Sequence, residues 1–254
     1  MNKALTGKRA LIYGGGTGIG LGCALAFLEN GAGVFLSGRR RDKLEEAKSK
    51  LSSLGKVGVQ EGDAGAEADV ARVTAAAIDF LGGIDILVVS AGRSHIGSIL
   101  DCNPADFDDV IRTNLRAPFL AARAAAPHLV KAGTASIILL ASVVATAAMK
   151  ERVAYITSKT GVVGLARSLA LDLADKGVRV NAISPSLILT EMTRGVMAKE
   201  KDPAAVMARR EAQHPVGRLG KTEDIGSLAV YLASDASSWL TGQDIVIDGG
   251  LTLC

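Results

Sequence analysis

Aromatic residues are scarce in this chain. Trp, Tyr and Phe make up 4% of its 254 residues although 48% are hydrophobic, so a core must be built from Ala, Val, Leu and Ile, which suits a parallel sheet covered by helices. Cysteine is nearly absent as well. Cys23, Cys102 and Cys254 are odd in number and include no CxxC pair, which argues against a disulfide framework or a zinc site and predicts reduced thiols in the cytosol. No metal is expected. Long apolar runs are missing too: no stretch of about twenty residues is free of glycine and charge, so no membrane span is predicted. The run after the basic start, Ala10 to Tyr13, is too short for a signal peptide. A soluble cytoplasmic protein is the default. The net charge of +3 comes from 29 basic and 26 acidic residues without basic blocks or interleaved aromatics, so nucleic acid is not an expected partner. With no Pro/Ser-rich linker or composition break, residues 1–254 read as one domain.

Short apolar runs rich in β-branched residues stand at Ala10–Tyr13, Val34–Ser37, Val57–Gln60, Ile84–Val89, Ser136–Leu140, Val178–Ile183 and Asp244–Ile247. Longer segments of helical period separate most of them. Glycines mark the predicted helix ends: Ile19–Asn30 stops at Gly31, Lys43–Leu54 at Gly55, Ala66–Leu81 at Gly82 and Leu165–Lys176 at Gly177. This alternation predicts a Rossmann-like α/β fold, a doubly wound parallel sheet of about seven strands flanked by helices. Its ligand crevice lies beyond the carboxyl ends of the strands, where loops begin at residues 14, 38, 62, 90, 141 and 184. Residues 187–221 break the pattern, with Lys199-Glu200-Lys201-Asp202, Pro203 and Pro215, and predict a substrate loop or lid.

The first of those loops is Gly14-Gly15-Gly16-Thr17-Gly18-Ile19-Gly20. Glycines at 14, 18 and 20 between a strand and a helix let backbone approach a pyrophosphate, whose charge meets amides at the helix start. The second strand ends in Ser37-Gly38-Arg39-Arg40-Arg41, with no carboxylate before Asp42. An NAD site would offer Asp or Glu there. Arginine instead suits the 2′-phosphate of NADP, so Arg39 and Arg40 favour NADP(H) and leave NAD(H) possible. Asp63-Ala64 after the third strand either presents a carboxylate to an adenine amino group or caps the next helix.

Tyr155 and Lys159, in Tyr-Ile-Thr-Ser-Lys, fall one turn apart if residues 154–175 form a helix. A phenol with a pKa of about 10 needs roughly 4 kcal/mol of phenolate stabilisation to exchange protons near neutrality. An adjacent ammonium in a partly dry pocket can supply much of that.

With the glycine turn, Asn114, Ser142, Tyr155 and Lys159 in one chain, the sequence resembles the short-chain dehydrogenase/reductase family over its full length, and within it the 3-oxoacyl-carrier-protein reductases. Pro185 followed by Thr190, then Leu240-Thr241-Gly242-Gln243 and Val246-Ile247-Asp248-Gly249-Gly250, looks like the family's tail. The resemblance implies a catalytic tetrad. Ser142 would hold the substrate oxygen and Tyr155 would protonate it. Lys159 would bind the nicotinamide ribose and lower the tyrosine pKa, and Asn114 would hold a water that resupplies protons. It also implies cofactor contacts from Gly14, Gly16, Thr17, Gly18, Ile19, Ala91, Gly92, Pro185, Ile188 and Thr190.

Three positions depart from the family pattern. Its Thr before the first glycine is Tyr13, its Asn-Asn-Ala-Gly is Val89-Ser90-Ala91-Gly92, and its Pro-Gly is Pro185-Ser186. Tyr13 and Val89 are expected to compensate each other through apolar contact, with cofactor binding retained.

Val143, Val144, Ala145, Ala147, Ala148 and Met149 make the stretch before Tyr155 apolar. That suits an aliphatic ketone or β-keto ester. Arg93, His95 and Arg152 are available to an anion, with His95 expected on a loop surface. Lys131, Lys176 and Arg179 are slight support for a carrier-protein partner and an acyl thioester. The helix face from Thr160 to Leu173 and the last strand, with the family likeness, predict a homotetramer. The leading expectation is an NADPH-dependent carbonyl reductase. An NAD-dependent dehydrogenase of a secondary alcohol or polyol, and a nucleotide sensor without turnover, stand as alternatives.

Overall fold

The computed structural model describes residues 3–198 and 200–253; Lys199 of the charged stretch and the Cys254 thiol lie outside the described residues. Each predicted strand is present. The first half of the chain runs β1 (Arg9–Tyr13), α1 (Gly18–Glu29), β2 (Gly33–Gly38), α2 (Arg41–Leu51), β3 (Val57–Glu61), α3 (Glu67–Leu81) and β4 (Ile86–Val89). The second half runs α4 (Pro104–Ile111), a π-turn over Arg112–Arg116, α5 (Ala117–Ala132), β5 (Ala135–Leu140), α6 (Val153–Leu173) and β6 (Val178–Pro185). It continues with β7 (Ile188–Leu189), α7 (Glu191–Met197), α8 (Pro203–Ala212), β8 (Gly220–Lys221), α9 (Thr222–Ala233) and β9 (Asp244–Ile247).

Seven strands form one sheet in the order β3-β2-β1-β4-β5-β6-β9, and every pairing is parallel. Successive side chains point to opposite faces. Leu11 and Tyr13 therefore join Phe35, Leu87, Val89, Ile137 and Leu139 in one buried layer with α3, α5 and α6. Ala10 and Ile12 join Val34, Leu36, Ile86, Val88 and Ile138 in the other, against α1, α2 and α9. Burial on both faces is why these strands read as continuous apolar runs.

Glycine stops α1, α3 and the helical run through Lys176, with φ of 90° at Gly31, 85° at Gly82 and 75° at Gly177. The expected stop at Gly55 is corrected: α2 ends at Leu51 with Ser52 as cap, and Gly55 has no left-handed φ. α6 starts at Val153 and passes through Ala174–Lys176 as a 3₁₀ turn. The segment 187–221 carries two helices closed by the short β7–β8 pair, in which Ile188 meets Gly220. Two-residue strands have too little periodicity to be read from sequence.

Among the described residues no helix is long and apolar enough to cross a membrane. Cys23 is buried, which pushes its thiol up to about 12.

Candidate active site

The strand order reverses between β1 and β4, and the carboxyl ends of those two strands, Tyr13 and Val89, are in register. A crevice at that reversal is where such sheets bind ligands. Gly14 has φ 77°, and a Cβ there would lie 2.7 Å from the Ala91 nitrogen; a Cβ on Gly20 would lie 2.2 Å from the Gly14 oxygen. Side chains at either position would force the turn open. Thr17 is the extended N-cap of α1 and makes no side-chain cap, so the first-turn amides depend on another partner. This cradle fits a pyrophosphate. Thr190 faces it, with its methyl 3.3 Å from where a Gly18 Cβ would stand. Gly16 packs toward Leu44, and Ile19 lies against the buried layer beside α1.

The two predicted arginines diverge. Arg39 is exposed and lines an open cavity of about 450 Å³ with Arg41, Glu61, Asp63 and Arg72. Arg40 instead turns to Thr17, donating to its hydroxyl at 3.3 Å. Arg41, not chosen from sequence, also lines this cavity, with its Nε 4.0 Å from Glu45.

Asp63 caps nothing, since Ala66 is the N-cap of α3. Its carboxylate accepts from Gly65 N at 2.9 Å and from Arg112 at 2.7 Å. Burial works to raise its pKa, but Arg112 and the Gly65 amide outweigh it and hold the group below the usual range. Ala64 is buried beneath.

Across the crevice, β5 delivers Ser142, which is 8% exposed, and α6 delivers Tyr155 and Lys159. The Ser142 hydroxyl, which accepts from Val144 N at 3.5 Å, is near enough to the Tyr155 phenol to lower its pKa. Lys159 donates to the Leu140 oxygen at 2.7 Å, with its ammonium 5.9 Å from the Tyr155 ring centroid.

Here the structure differs from the expectation of a cation that acidifies the phenol. Burial raises the Tyr155 pKa, while the nearby Ser142 hydroxyl and the Arg152 charge pull it back. Lys159 is occupied by the end of β5, and its own burial lowers it to about 8.

Asn114 sits in the π-turn, 1% exposed. Its side-chain oxygen accepts from Arg93 N at 2.8 Å, and its amide donates to Arg93 O at 2.9 Å and to Ser158 Oγ at 3.0 Å. Ser158 in turn donates to Tyr155 O at 2.7 Å. Sequence reading missed Ser158 because a serine within a helix carries no pattern of its own. Asn114 and Lys159 converge on Gly92, where a Cβ would stand 3.4 Å from the Asn114 oxygen and 3.6 Å from the Lys159 nitrogen.

The departures have local explanations. Tyr13 is 1% exposed, and its hydroxyl reaches Thr74 Oγ1 at 3.2 Å and the Val70 oxygen at 3.3 Å. Its larger ring thus finds partners on α3. Burial pushes it up to about 12 against the Thr74 hydrogen bond, so it stays protonated.

Replacing Tyr13 by threonine is expected to cost about 3 kcal/mol through the cavity it leaves. Tyr13→Phe should cost about 1 kcal/mol. Denaturant unfolding checks both, and NADPH affinity should change less than about tenfold in either. Ser186, after Pro185, bonds buried His214 at 3.0 Å, anchoring the end of the 187–221 segment. Ile188 is buried beside β8.

On the substrate side Val143 and Val144 are buried, while Ala147, Ala148 and Met149 are exposed. Arg93 is paired with Asp109. Arg152 donates to the His95 oxygen at 3.2 Å, and Gly97 bridges to Arg152. His95 is not the expected surface residue: its side chain is 13% exposed, 3.6 Å from Asp106 and 3.9 Å from the Cys102 sulfur.

Residues 14–252 match the family model described as Enoyl-(Acyl carrier protein) reductase. The chain is 34% identical to the 3-oxoacyl-(acyl-carrier-protein) reductase of Chlamydia pneumoniae, over 99% of this chain and 100% of that one. It is 37% identical to D-threitol dehydrogenase of Mycolicibacterium smegmatis, over 98% and 94%. A crystal structure of a short-chain type dehydrogenase/reductase from Mycobacterium marinum superposes with a TM-score of 0.91 at 37% identity, covering 100% of this chain and 98% of that one. With a glycine cradle at the sheet reversal facing a Ser–Tyr–Lys cluster, the chain belongs to the short-chain dehydrogenase/reductase family, oxidoreductases that act on alcohol and carbonyl groups.

Proposed function

We propose that the chain is an NADPH-dependent carbonyl reductase that converts a ketone or 3-oxoacyl-type carbonyl to a secondary alcohol, reversibly. The observation that carries this is the cluster of Ser142, Tyr155 and Lys159 beside the glycine cradle, with the Lys159 ammonium one helical turn on and 5.9 Å from the phenol ring centroid. Bound NADPH supplies the hydride. Ser142 holds the carbonyl oxygen and Tyr155 gives it a proton, which requires a phenol still protonated at neutral pH. Its raised pKa provides that. Lys159 leaves the Leu140 oxygen for the nicotinamide ribose, and Asn114 fixes the loop at Gly92 and Arg93 that walls the site.

Gly14, Gly16, Thr17, Gly18 and Ile19 take the pyrophosphate, Asp63 and Ala64 the adenine, and Ala91, Gly92, Pro185, Ile188 and Thr190 the nicotinamide half. Arg39, with Arg41 beside it on the same cavity, reads the 2′-phosphate, and Arg40 orders Thr17. An acyl thioester fits the likeness to the 3-oxoacyl reductase. The D-threitol dehydrogenase relative favours a second reading, an NAD-dependent dehydrogenase of a polyol.

The whole chain acts as one cytoplasmic Rossmann-like unit in a homotetramer. Leu171 on α6 is 84% exposed and Val246 on β9 is 38% exposed, which supports assembly through both faces.

The test is NADPH oxidation by the purified protein across a panel of aliphatic ketones and β-keto esters, with Arg39→Ala alongside. Turnover with NADPH is expected. Loss of a charged hydrogen bond worth about 1.5–3 kcal/mol should raise the KM for NADPH about 10- to 100-fold in the variant and leave that for NADH unchanged. No turnover on any ketone, or an Arg39→Ala variant indifferent to the cofactor, contradicts the proposal.

A further inference from the structure

One side chain outside the proposed tetrad and cofactor contacts ties the loop after β3 to α4. Arg112 opens the π-turn that also carries Asn114. Its Nη1 donates to Asp63 Oδ2 at 2.7 Å, and its Nη2 and Nε donate to Asp109 Oδ1 at 3.1 and 3.4 Å. The fork therefore spans from the loop after β3 to α4, a geometry that a planar guanidinium holds and a lysine does not.

The loop is shaped around it. A Cβ on Gly65 would stand 2.6 Å from Arg112 Nη1, so any larger residue would displace the guanidinium. From the same π-turn Arg116 donates to the Gly65 oxygen. Two arginines thus grip Asp63–Gly65, and Asp63 lines the same cavity as Arg39.

We propose that Arg112 is the positioning residue of the adenine pocket: it orients the Asp63 carboxylate and fixes the 63–65 loop, and so sets the affinity for the adenosine half of the dinucleotide without touching it. This rests on the reading of the crevice as a dinucleotide site. The nicotinamide side has supports of its own: Asn114 is held by the Arg93 backbone and Ser158, and Arg93 takes the Asp109 oxygen that Arg112 leaves free. Removing the Arg112 guanidinium leaves those contacts in place.

The experiment is competitive binding of adenosine 2′,5′-bisphosphate, 5′-AMP and reduced nicotinamide mononucleotide to wild type, Arg112→Met, Asp63→Asn and the double variant. Gly65→Ala serves as an independent way to displace the guanidinium, and carries the test if Arg112→Met does not fold. The adenosine probes are expected to bind Arg112→Met and Gly65→Ala about tenfold or more weaker. Asp63→Asn should show a similar loss, and the double variant no further loss, since the arginine acts through the carboxylate. Nicotinamide mononucleotide should bind all variants alike. Unchanged adenosine-probe affinity in Arg112→Met and Gly65→Ala overturns the proposal, as does an equal loss for all three probes, which would mark a general structural role. If wild type binds neither adenosine probe, the dinucleotide reading itself falls, and this proposal with it.

Discussion

Tyr155→Phe is expected to lower ketone reduction about a thousandfold while the fold and the NADPH affinity stay near wild type. A positioned proton donor contributes roughly 10²–10⁴-fold, and the substitution removes only the phenol hydroxyl. The ring and its packing remain, so a circular dichroism melt should be nearly superimposable. The direction of the Tyr155 pKa also fixes a pH profile. Burial raises it, and Ser142 and Arg152 only partly offset that. The phenol is therefore stocked as an acid at neutrality. Reduction should be flat through neutral pH and fall on the alkaline side, whereas alcohol oxidation, which needs the phenolate as base, should climb as pH rises. A Tyr155→Phe enzyme within about tenfold of wild type would remove Tyr155 from proton transfer.

The second large effect lies at Lys159. Its folded-state pKa is about 8, lowered by burial from 10.5. Between those values the unfolded chain binds more protons than the folded one, so stability rises as pH increases from about 8 to 10.5. The shift corresponds to about 3 kcal/mol. Lys159→Met has no such group and should lack that rise, so the difference between wild-type and variant unfolding free energies across this window isolates it. The penalty that wild type carries at neutral pH has a use in the proposed mechanism: an ammonium whose one hydrogen bond among the described residues is to the Leu140 oxygen is ready for a ribose. The same variant should lose activity by two orders of magnitude or more. Parallel pH curves for wild type and variant would mean that Lys159 is not desolvated.

Much of the fold was legible because burial on both faces writes parallel strands as apolar runs, and three of the four glycine stops hold the left-handed backbone that only glycine adopts cheaply. The Gly55 stop was misread because position relative to a helix end does not reveal φ. The cradle follows from its place between a strand and a helix, and the Tyr155–Lys159 spacing from one helical turn, whereas Ser142 was legible only through the family resemblance.

What spacing could not carry was the direction of long polar side chains. Arg40 and Arg41 exchange the roles that their order suggests, and Lys159 turns to a carbonyl rather than to the phenol. Likewise the bond from Asn114 to Ser158 spans 44 residues, and its donor and acceptor carry no local pattern. Tyr13 looked like an apolar substitute for a threonine, yet its hydroxyl found Thr74 on a helix 61 residues away.

The most direct test of the central claim is a fluorescence titration of the purified protein with NADPH and, separately, with NADH. The account predicts that NADPH binds at least about tenfold tighter, a difference of about 1.4 kcal/mol that Arg39 and its neighbour Arg41 supply through the 2′-phosphate. Tighter binding of NADH would contradict it and favour the alcohol dehydrogenase reading, and binding of neither nucleotide would overturn the cofactor site altogether.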